Sequence, residues 1–340
     1  MWEKIINAYS GYFNYIYTEF TFQTGLWWKN YLLWWLIISA IFCLLEWAAP
    51  WRKGQKLIRK DFYLDLFYNF FNFFLFSLLI YNAASTVVAD FFNQIIQDFI
   101  GVNLLKINPL QQLSAWAILL VGFVIRDFVQ WNTHRWLHKS SFLWEFHKVH
   151  HSTQAMGWGA HLRYHWAETL VYRTVEYLPL ALLGIGLHDF FVMHIFAITV
   201  GHYNHANFYL KPTQKASFFG LVIGLFVAIY GFEFDNFSSV FICLIVSVFV
   251  AILFKNVWKY IFNSPEMHIW HHAKELPEAR LTGVNFGLTL SVWDYLFRTH
   301  YQPFHGRDIP LGFENVENFP QSLPQQLTQG LIKPNQTTIL

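Results

Sequence analysis

The chain has 340 residues, of which 55% are hydrophobic and only 13% are charged. Soluble domains usually carry about 25% charged residues, so this composition indicates a chain that uses lipid as part of its solvent. The net charge of +2 is small and is not gathered into one long basic run, which argues against nucleic acid as a partner. The two cysteines, Cys43 and Cys243, lie in apolar stretches; this excludes a disulfide framework and argues against a cysteine-based zinc site.

The N-terminal part of the chain, residues 1–112, is expected to hold an interfacial segment and the first membrane spans. Residues 5–22 are rich in Tyr and Phe but are interrupted by Asn, Ser and Glu, so they do not suit a signal peptide. This aromatic composition is typical of a segment at the membrane interface. A spanning helix takes roughly 20 apolar residues, and residues 31–48 meet that requirement, followed by a long aromatic stretch at 63–92.

Three further apolar regions lie within residues 113–300, where we expect the catalytic region. Residues 113–130 suit one span. Residues 170–200 are too few for two full spans and a turn, so we expect a short hairpin of the re-entrant kind. The segment 212–257 is apolar on both sides of a polar turn and suits an additional hairpin of two full spans. The sequence therefore predicts an all-α, multi-pass integral membrane protein.

The orientation of the chain follows from the basic residues in its loops. Residues 51–60 contain five Lys or Arg residues, which marks this loop as cytosolic, whereas residues 93–112 contain only Lys106. With this orientation, every histidine-rich segment falls on the cytosolic side. Residues 301–340 are rich in Gln, Pro and Asn and are expected to form a polar cytosolic tail.

Ten of the sixteen histidines fall into four short groups that we interpret as metal ligands. The groups are His134 and His138; His147, His150 and His151; His202 and His205; and His268, His271 and His272. Residues three or four apart share one face of a helix, so each group places its imidazoles on one strip. Neutral imidazole is a common ligand of iron, zinc and copper.

A single histidine near the end of a membrane helix is more often a capping or interfacial residue than a ligand. Eight imidazoles packed on helix faces near lipid would repel one another once protonated, so the HxxxH group and the two HxxHH groups favour metal binding. The short pattern of His202 and His205 is less specific. Ten ligands would complete two five-coordinate sites, whereas eight would leave more positions for water or oxygen.

Carboxylates near these groups are candidates for supporting the ligands. Asp127 lies seven residues before His134, which is two helical turns, and so shares the face of His134 and His138. A carboxylate that accepts the free N–H of a ligating ring fixes its tautomer, and this is the role we expect for Asp127. The alternative is an ion pair of Asp127 with Arg126 or Arg135. Four further carboxylates are similar candidates, but their sequence spacing from the histidines gives weaker support: Glu145, Glu168, Glu266 and Asp294.

These motifs resemble the fatty acid hydroxylase superfamily, which includes the sterol desaturases. The resemblance covers roughly residues 115–300 and includes the three boxes HxxxH, HxxHH and HxxHH in this order. It extends to Asn285-Phe-Gly287 and Trp293-Asp294-xx-Phe297 after the last box. Similar proteins carry Arg-x-His-Pro-x-Glu after the second box; here Arg163 to Glu168 match this stretch, except that Trp166 replaces the proline. His165 is therefore expected to act behind the ligands or structurally.

The resemblance implies a non-haem di-iron centre that uses O₂ to hydroxylate or desaturate a lipid-like substrate, such as a sterol, fatty acyl chain, sphingolipid or alkylglycerol. By analogy, Asn207 and Asn285 orient ligands or a metal-bound water. Since no haem, flavin or nucleotide motif is present, a separate electron donor of ferredoxin, cytochrome b5 or reductase type is expected. Zinc is an alternative occupant of the site. A lyase on the same two-metal site, or a metal-binding transport protein, is an alternative function.

Overall fold

The computed structural model describes residues 2–72, 81–107, 110, 112–185, 187–232 and 237–331. Within these residues all regular secondary structure is helical, and β pairing is limited to three isolated bridges. This confirms the predicted all-α class.

The described residues of the N-terminal region form five α-helices: α1 (Trp2–Phe20), α2 (Tyr31–Ala48), α3 (Phe62–Phe70), α4 (Tyr81–Ile100) and α5 (Leu104–Ile107). The predicted span 31–48 coincides with α2, whose first turn is capped by the side chain of Asn30, which accepts from the Leu33 amide at 2.7 Å. The long aromatic stretch 63–92 includes parts of α3 and α4, while its residues 73–80 lie outside the described residues.

Two helices that meet at a sharp corner follow: α6 (Ala115–Lys139) and α7 (Ser141–His151). Ser140 ends α6 in an extended conformation, and its hydroxyl caps α7 by accepting from the Leu143 amide. Because only one residue separates the helices, the last turns of α6 lie beside α7. Helix α6 continues nine residues beyond the predicted end of its span at residue 130.

Two antiparallel pairs come next: α8 (Trp166–Leu182) with α9 (Leu187–His205), and α10 (Pro212–Phe232) with α11 (Phe237–Leu253). The second pair corresponds to the additional hairpin expected at 212–257. It packs closely because Gly220 and Gly224 face α11. A Cβ atom at Gly220 would approach the Cα atom of Val248 to 2.7 Å.

The C-terminal part consists of short helices joined by ordered loops: α12 (Trp258–Ile261), α13 (Pro265–His271), α14 (Val292–Leu296) and α15 (Leu323–Leu327). The polar segment after residue 300 packs onto the helical core through residue 331. Phe319, together with partly buried leucines of α15, contacts Tyr68 and Val149. The carbonyl oxygen of Leu327 accepts from the ring Nε2 of His165 at 2.9 Å.

Among the described residues, one helix, α2, is both long and apolar enough to cross a membrane by length and composition. Helices α10 and α11 contain shorter apolar stretches, Pro212–Ala228 and Ser238–Leu253. The multi-pass topology therefore stays a prediction.

Candidate metal centre

Four helices bring nine of the ten predicted ligands together in two adjacent groups. Cluster A comprises His134, His138, His147, His151 and His271. Cluster B comprises His150, His205, His268 and His272. Within each cluster, the candidate ligand atoms all lie within 4.8 Å of one another. Eight of these rings are buried, and His138 is half-buried.

The spacing of the HxxHH groups explains how each one serves both clusters. Residues four apart on an α-helix are rotated by about 40°, whereas residues three apart are rotated by about 60° in the opposite sense. Accordingly His147 and His151 enter cluster A, while His150 turns into cluster B. On α13 the arrangement is reversed, because His268 and His272 enter cluster B and His271 enters cluster A.

The ring nitrogens within each cluster are spaced as ligands of one ion would be. In cluster A, the Nε2 atom of His147 lies 3.2 Å from the Nε2 atoms of both His134 and His151. In cluster B, the Nε2 atom of His205 lies 3.4 Å from that of His150 and 3.1 Å from that of His268. Two nitrogens bound at about 2.1 Å to one metal with a right angle between them are about 3.0 Å apart.

Hydrogen bonds behind the rings fix which nitrogen carries the proton. Carbonyl oxygens only accept, so each of three rings donates from Nδ1: His134 to Phe286 (2.7 Å), His271 to Val284 (2.8 Å) and His205 to Gly201 (2.8 Å). A neutral imidazole carries one proton, so the Nε2 atoms of these rings turn lone pairs into the clusters. Lone pairs that converge in this way repel one another unless a cation lies between them.

Buried nitrogens without partners also point to a cation. Among the described residues, the Nε2 atoms of His138, His271 and His272 have no hydrogen-bond partner. Burial, followed by the effect of neighbouring imidazoles, holds the pKa well below its usual range in four rings: His150, His151, His268 and His272. Burial also lowers the pKa of His271 to about 3. These rings are therefore neutral at pH 7, which is the form that binds metal.

Glu168 is the carboxylate that supports a ring of the clusters. The Nδ1 atom of His147 donates to its Oε1 atom at 2.8 Å, and both side chains are fully buried. This contact sets the tautomer of His147 and raises the basicity of its Nε2 atom. Glu168 is the last residue of the Arg163–Glu168 stretch, so this motif pointed to it, although helical spacing had favoured Asp127 for the same role.

The loop around Asn285 supplies two of the acceptors behind cluster A. Asn285 has a positive φ of 51°, and the residues on either side of it, Val284 and Phe286, turn their carbonyl oxygens towards His271 and His134. The Asn285 side chain holds this loop in place through the Met267 carbonyl and the main chain of Tyr301. No side-chain pattern shows that main-chain groups are the acceptors, which is why the sequence did not reveal them.

The hydrogen bonds of Asp294 connect the two sequence motifs Asn285-Phe-Gly287 and Trp293-Asp294. Its carboxylate accepts from the main-chain amides of Phe286 and Gly287 and from the indole of Trp131. A Cβ atom at position 287 would lie 2.3 Å from the Leu290 carbonyl oxygen, so only glycine fits. The two motifs therefore fix the loop that orients the ligands.

The structure places Asp127 away from the imidazoles, which corrects its expected role. Its carboxylate accepts from the Trp293 indole at 2.8 Å and from the Leu290 amide. Seven residues on a helix bring side chains to the same face but separate them by about 10.5 Å along the axis, which is too far for a carboxylate to reach His134. Asp127 instead anchors the segment before α14.

His202 and Asn207 also lie outside the two clusters. The Nδ1 atom of His202 is 3.1 Å from that of His161, and its ring packs against Trp158. The side chain of Asn207 forms hydrogen bonds with the main chain of Arg52. The main-chain N–H of Asn207 donates a hydrogen bond to the carboxylate of Glu46. Asn207 therefore joins the end of α9 to the loop after α2 and contacts no ring of either cluster.

The fold and the centre define a helical protein with two adjacent histidine clusters that could each hold a metal ion. The sequence model of the fatty acid hydroxylase family matches residues 119–221 and 210–299, which together cover more than half of the chain. The chain therefore belongs to the fatty acid hydroxylase family, and this confirms the resemblance seen in its motifs. All nine clustered histidines lie within the matched residues.

A curated relative matches part of the chain. The chain is 26% identical over 196 residues to the ornithine lipid hydroxylase OlsE of Rhizobium tropici. The aligned part covers 57% of this chain and 45% of the relative, so the chain spans less than half of the length of that protein. No solved structure matches.

Proposed function

We propose that this protein is an O₂-dependent, non-haem di-iron oxidoreductase of the membrane that hydroxylates a lipid. The observation that carries the proposal is the pair of adjacent clusters A and B, in which the ring nitrogens of nine imidazoles come together. Membership of the fatty acid hydroxylase family supplies the reaction class. The name of the ornithine lipid hydroxylase relative supports a lipid substrate.

The donor set favours two iron ions over a structural zinc ion. Structural zinc sites are closed by four ligands, usually with cysteine among them, whereas cluster A alone offers five imidazoles. Nitrogen-only donors suit iron, copper, nickel and zinc, and the resemblance to the fatty acid hydroxylase superfamily favours iron among these. When bound, the iron pair supplies the activation of O₂.

The chain's own residues hold and shield this centre. Glu168 and the carbonyl oxygens of Val284, Phe286 and Gly201 fix the rings, so that the ligand geometry is set before a metal arrives. The buried aromatic ring of Phe286 packs against rings of cluster A and helps to exclude water from it.

Exposed apolar surface supports a membrane location. Helix α1 presents a stripe of exposed apolar side chains at helical spacing: Trp2, Ile6, Tyr9, Phe13, Tyr17 and Phe20. An apolar stripe of this kind lies in the membrane interface. Helix α11 exposes another set: Phe241, Ile242, Ile245, Val246, Phe249, Val250 and Leu253. Small residues such as Gly220 and Gly224, four apart at a close helix contact, are typical of paired membrane helices.

We further propose that the centre faces the cytosol and receives electrons from a separate protein there. The basic loop 51–60 is the predicted cytosolic marker, and Asn207 at the end of α9 is bonded to the main chain of Arg52 in this loop. This contact supports placing the loop and the nearby cluster B on one side of the membrane. A ferredoxin, a cytochrome b5-type protein or a reductase is the expected donor.

Oxygen transfer to lipid tests the proposed function. Protein purified without O₂ would be supplied with iron, a chemical reductant and total lipid from cells that lack the enzyme, and then exposed to ¹⁸O₂. We expect a lipid that gains one ¹⁸O atom with the unchanged protein and none with His271→Ala. The matched control is His305→Ala, since His305 is exposed and lies outside both clusters.

Two results would contradict the proposal. One is unchanged oxygen transfer by His271→Ala, and the other is a failure of the iron-loaded protein to oxidise any lipid. Loss of two hydrogens without gain of ¹⁸O would instead assign the same centre to desaturation.

A further inference from the structure

A pocket outside the metal centre lies at the foot of the hairpin formed by α10 and α11. Its volume is about 250 Å³, and it opens between the first turn of α10, the segment after α11 and the start of α13. A water molecule takes about 30 Å³ in the liquid, so this space admits a phosphate group with its neighbouring glycerol oxygens. We name it the lysine pocket and define it by five of its lining residues: Lys215, Lys255, Asn256, Lys259 and Glu266.

The lysine pocket has more positive than negative charge. Lys215 and Glu266 are both buried and form an ion pair through Nζ and Oε1, so these two charges cancel. Lys255 and Lys259 are exposed, and among the described residues neither forms an ion pair. The flanking sequence shows the same excess, because residues 209–215 and 254–267 together contain four lysines and a single carboxylate. Two ammonium groups are therefore available to an anionic ligand.

Charges on the neighbouring elements do not offset this excess. Helix α14, which packs beside α12, and the turn after it contribute Asp294 and Arg298. The segment that follows Gln302 in the pocket wall contributes Arg307 and Asp308, which pair with each other. Each of these two elements adds one carboxylate and one guanidinium group, so the positive charge of the lysine pocket remains.

One oxygen of Glu266 indicates a further property of the ligand. Its Oε1 atom pairs with Lys215, whereas its Oε2 atom is buried and has no hydrogen-bond partner among the described residues. A buried acceptor without a donor is costly, and a hydroxyl or ammonium group on the ligand would satisfy it. The polar lining therefore matches a ligand that combines a negatively charged phosphate with a hydrogen-bond donor.

The surroundings of the lysine pocket are apolar, which favours a lipid over a soluble phosphate. Exposed apolar side chains lie next to its two exposed lysines in the sequence: Leu253, Phe254, Val257 and Tyr260. They continue the exposed apolar face of α11, which the proposed function places in the membrane. Lysine side chains near the ends of membrane helices extend to the head-group level, and basic pockets between such helices bind anionic head groups.

The lysine pocket faces away from cluster B. Glu266 and His268 are two residues apart on α13, which corresponds to a rotation of about 200° around the helix axis. His268 enters cluster B, so Glu266 lies on the opposite side of α13. A lipid whose phosphate lies in the lysine pocket is therefore held outside the metal centre and is distinct from the lipid that the centre oxidises.

We propose that the lysine pocket binds an anionic membrane phospholipid, with its acyl chains along the exposed face of α11. Lys255 and Lys259 contact the phosphate, and Glu266 accepts a hydrogen bond from a donor on the head group. The lipid holds the foot of the hairpin at the membrane surface, beside the Lys215–Glu266 pair that joins α10 to α13. This inference rests on the membrane location in the proposed function and not on lipid oxidation.

Titration of the full-length protein with short-chain phospholipids in an uncharged detergent tests the proposal. The probes are dioctanoyl phosphatidylglycerol, dioctanoyl phosphatidylmethanol, dioctanoyl phosphatidylcholine and inorganic phosphate, and calorimetry measures their binding. We expect one phosphatidylglycerol to bind at least about tenfold more tightly than phosphatidylcholine, because contacts between charged groups are the stronger ones. Phosphatidylmethanol has the same charge but no hydroxyl donor, and we expect it to bind severalfold more weakly. Inorganic phosphate has no acyl chains and should bind at least about tenfold more weakly.

A double variant tests the role of the exposed lysines. Lys255→Gln combined with Lys259→Gln removes both free ammonium groups and is expected to weaken binding of phosphatidylglycerol at least about tenfold and to abolish the preference over phosphatidylcholine. The matched control is Lys53→Gln combined with Lys56→Gln, since both lysines are exposed and lie in the basic loop 51–60. We expect this control to bind phosphatidylglycerol within twofold of the unchanged protein.

Several results would overturn the proposal. They are equal binding of phosphatidylglycerol and phosphatidylcholine by the unchanged protein, equally tight binding of inorganic phosphate, or an equal loss in the pocket variant and its control. Equal binding of phosphatidylmethanol and phosphatidylglycerol would overturn the part assigned to Glu266. If the double variant does not fold, Lys255→Gln alone takes its place, and unchanged binding would count against the pocket.

The outcome for the lysine pocket is separate from the outcome for the proposed function. Lysine-dependent binding of phosphatidylglycerol without ¹⁸O transfer to any lipid would overturn the proposed function alone. Transfer of ¹⁸O without lysine-dependent binding would overturn the lysine pocket alone.

Discussion

Replacing Glu168 by glutamine isolates the contribution of the carboxylate behind His147. Glutamine keeps the shape of the side chain and an acceptor oxygen, but it removes the negative charge that lies 2.8 Å from the Nδ1 atom of His147. Partners of this kind typically contribute about 10- to 100-fold to metal affinity. We therefore expect Glu168→Gln to weaken metal binding at cluster A by about 1.4–2.7 kcal/mol, with little change at cluster B.

Competition with a chelator, followed by metal analysis of the protein, measures this loss. The matched control is Glu145→Gln on α7, because Glu145 pairs with Lys148 near the surface and contacts no ring of either cluster. Asp127→Asn is a second comparison, and we expect it to keep its metal affinity. The reasoning fails if Glu168→Gln binds metal within twofold of the unchanged protein, or if Asp127→Asn loses more metal than Glu168→Gln does.

Three other predictions follow from particular contacts. His205→Ala should lose metal from cluster B, whereas His202→Ala should retain it. Metal analysis of both variants checks this, and a lower metal content in His202→Ala than in His205→Ala would contradict the assignment of the clusters. The metal-free protein should become less stable as the pH falls from about 6.5 towards 3: the pKa of His271 is lowered to about 3, so the unfolded chain binds more protons in this range. Thermal melts at several pH values check this, and a stability that rises towards pH 4 would contradict it. Phe319→Ala should lower the free energy of unfolding by about 3 kcal/mol, because Phe319 packs against Tyr68 and Val149, and an unchanged melt would show that the segment after residue 300 contributes no packing.

Much of the metal centre was visible in the sequence, because helical spacing alone determines which side chains share a face. The bounds of α2 also followed from composition, because an apolar run flanked by polar residues leaves few positions at which the helix could begin or end. The division of ligands between clusters was predictable in principle. Residues four apart stay together, as His147 and His151 do, whereas residues three apart diverge, and on that rule His202 and His205 separate.

Other parts of the centre depend on tertiary packing that spacing does not describe. Asp127 lies on the same face of α6 as His134, but the axial rise of the helix places the two side chains too far apart to touch. The prediction considered only the shared face and not this axial separation. Glu168 reaches His147 only because α8 packs against α7. The carbonyl oxygens of Val284 and Phe286 are main-chain groups, and the left-handed conformation of Asn285 that aims them is a product of the folded loop.

The central claim is that clusters A and B each hold one iron ion, and metal stoichiometry tests it most directly. Protein purified without O₂ and reconstituted with iron would be analysed for iron per chain, beside His134→Ala for cluster A and His268→Ala for cluster B. We expect two iron ions per unchanged chain and about one in each variant, with His305→Ala at two. One ion or none in the unchanged chain, or two in both cluster variants, would contradict the account.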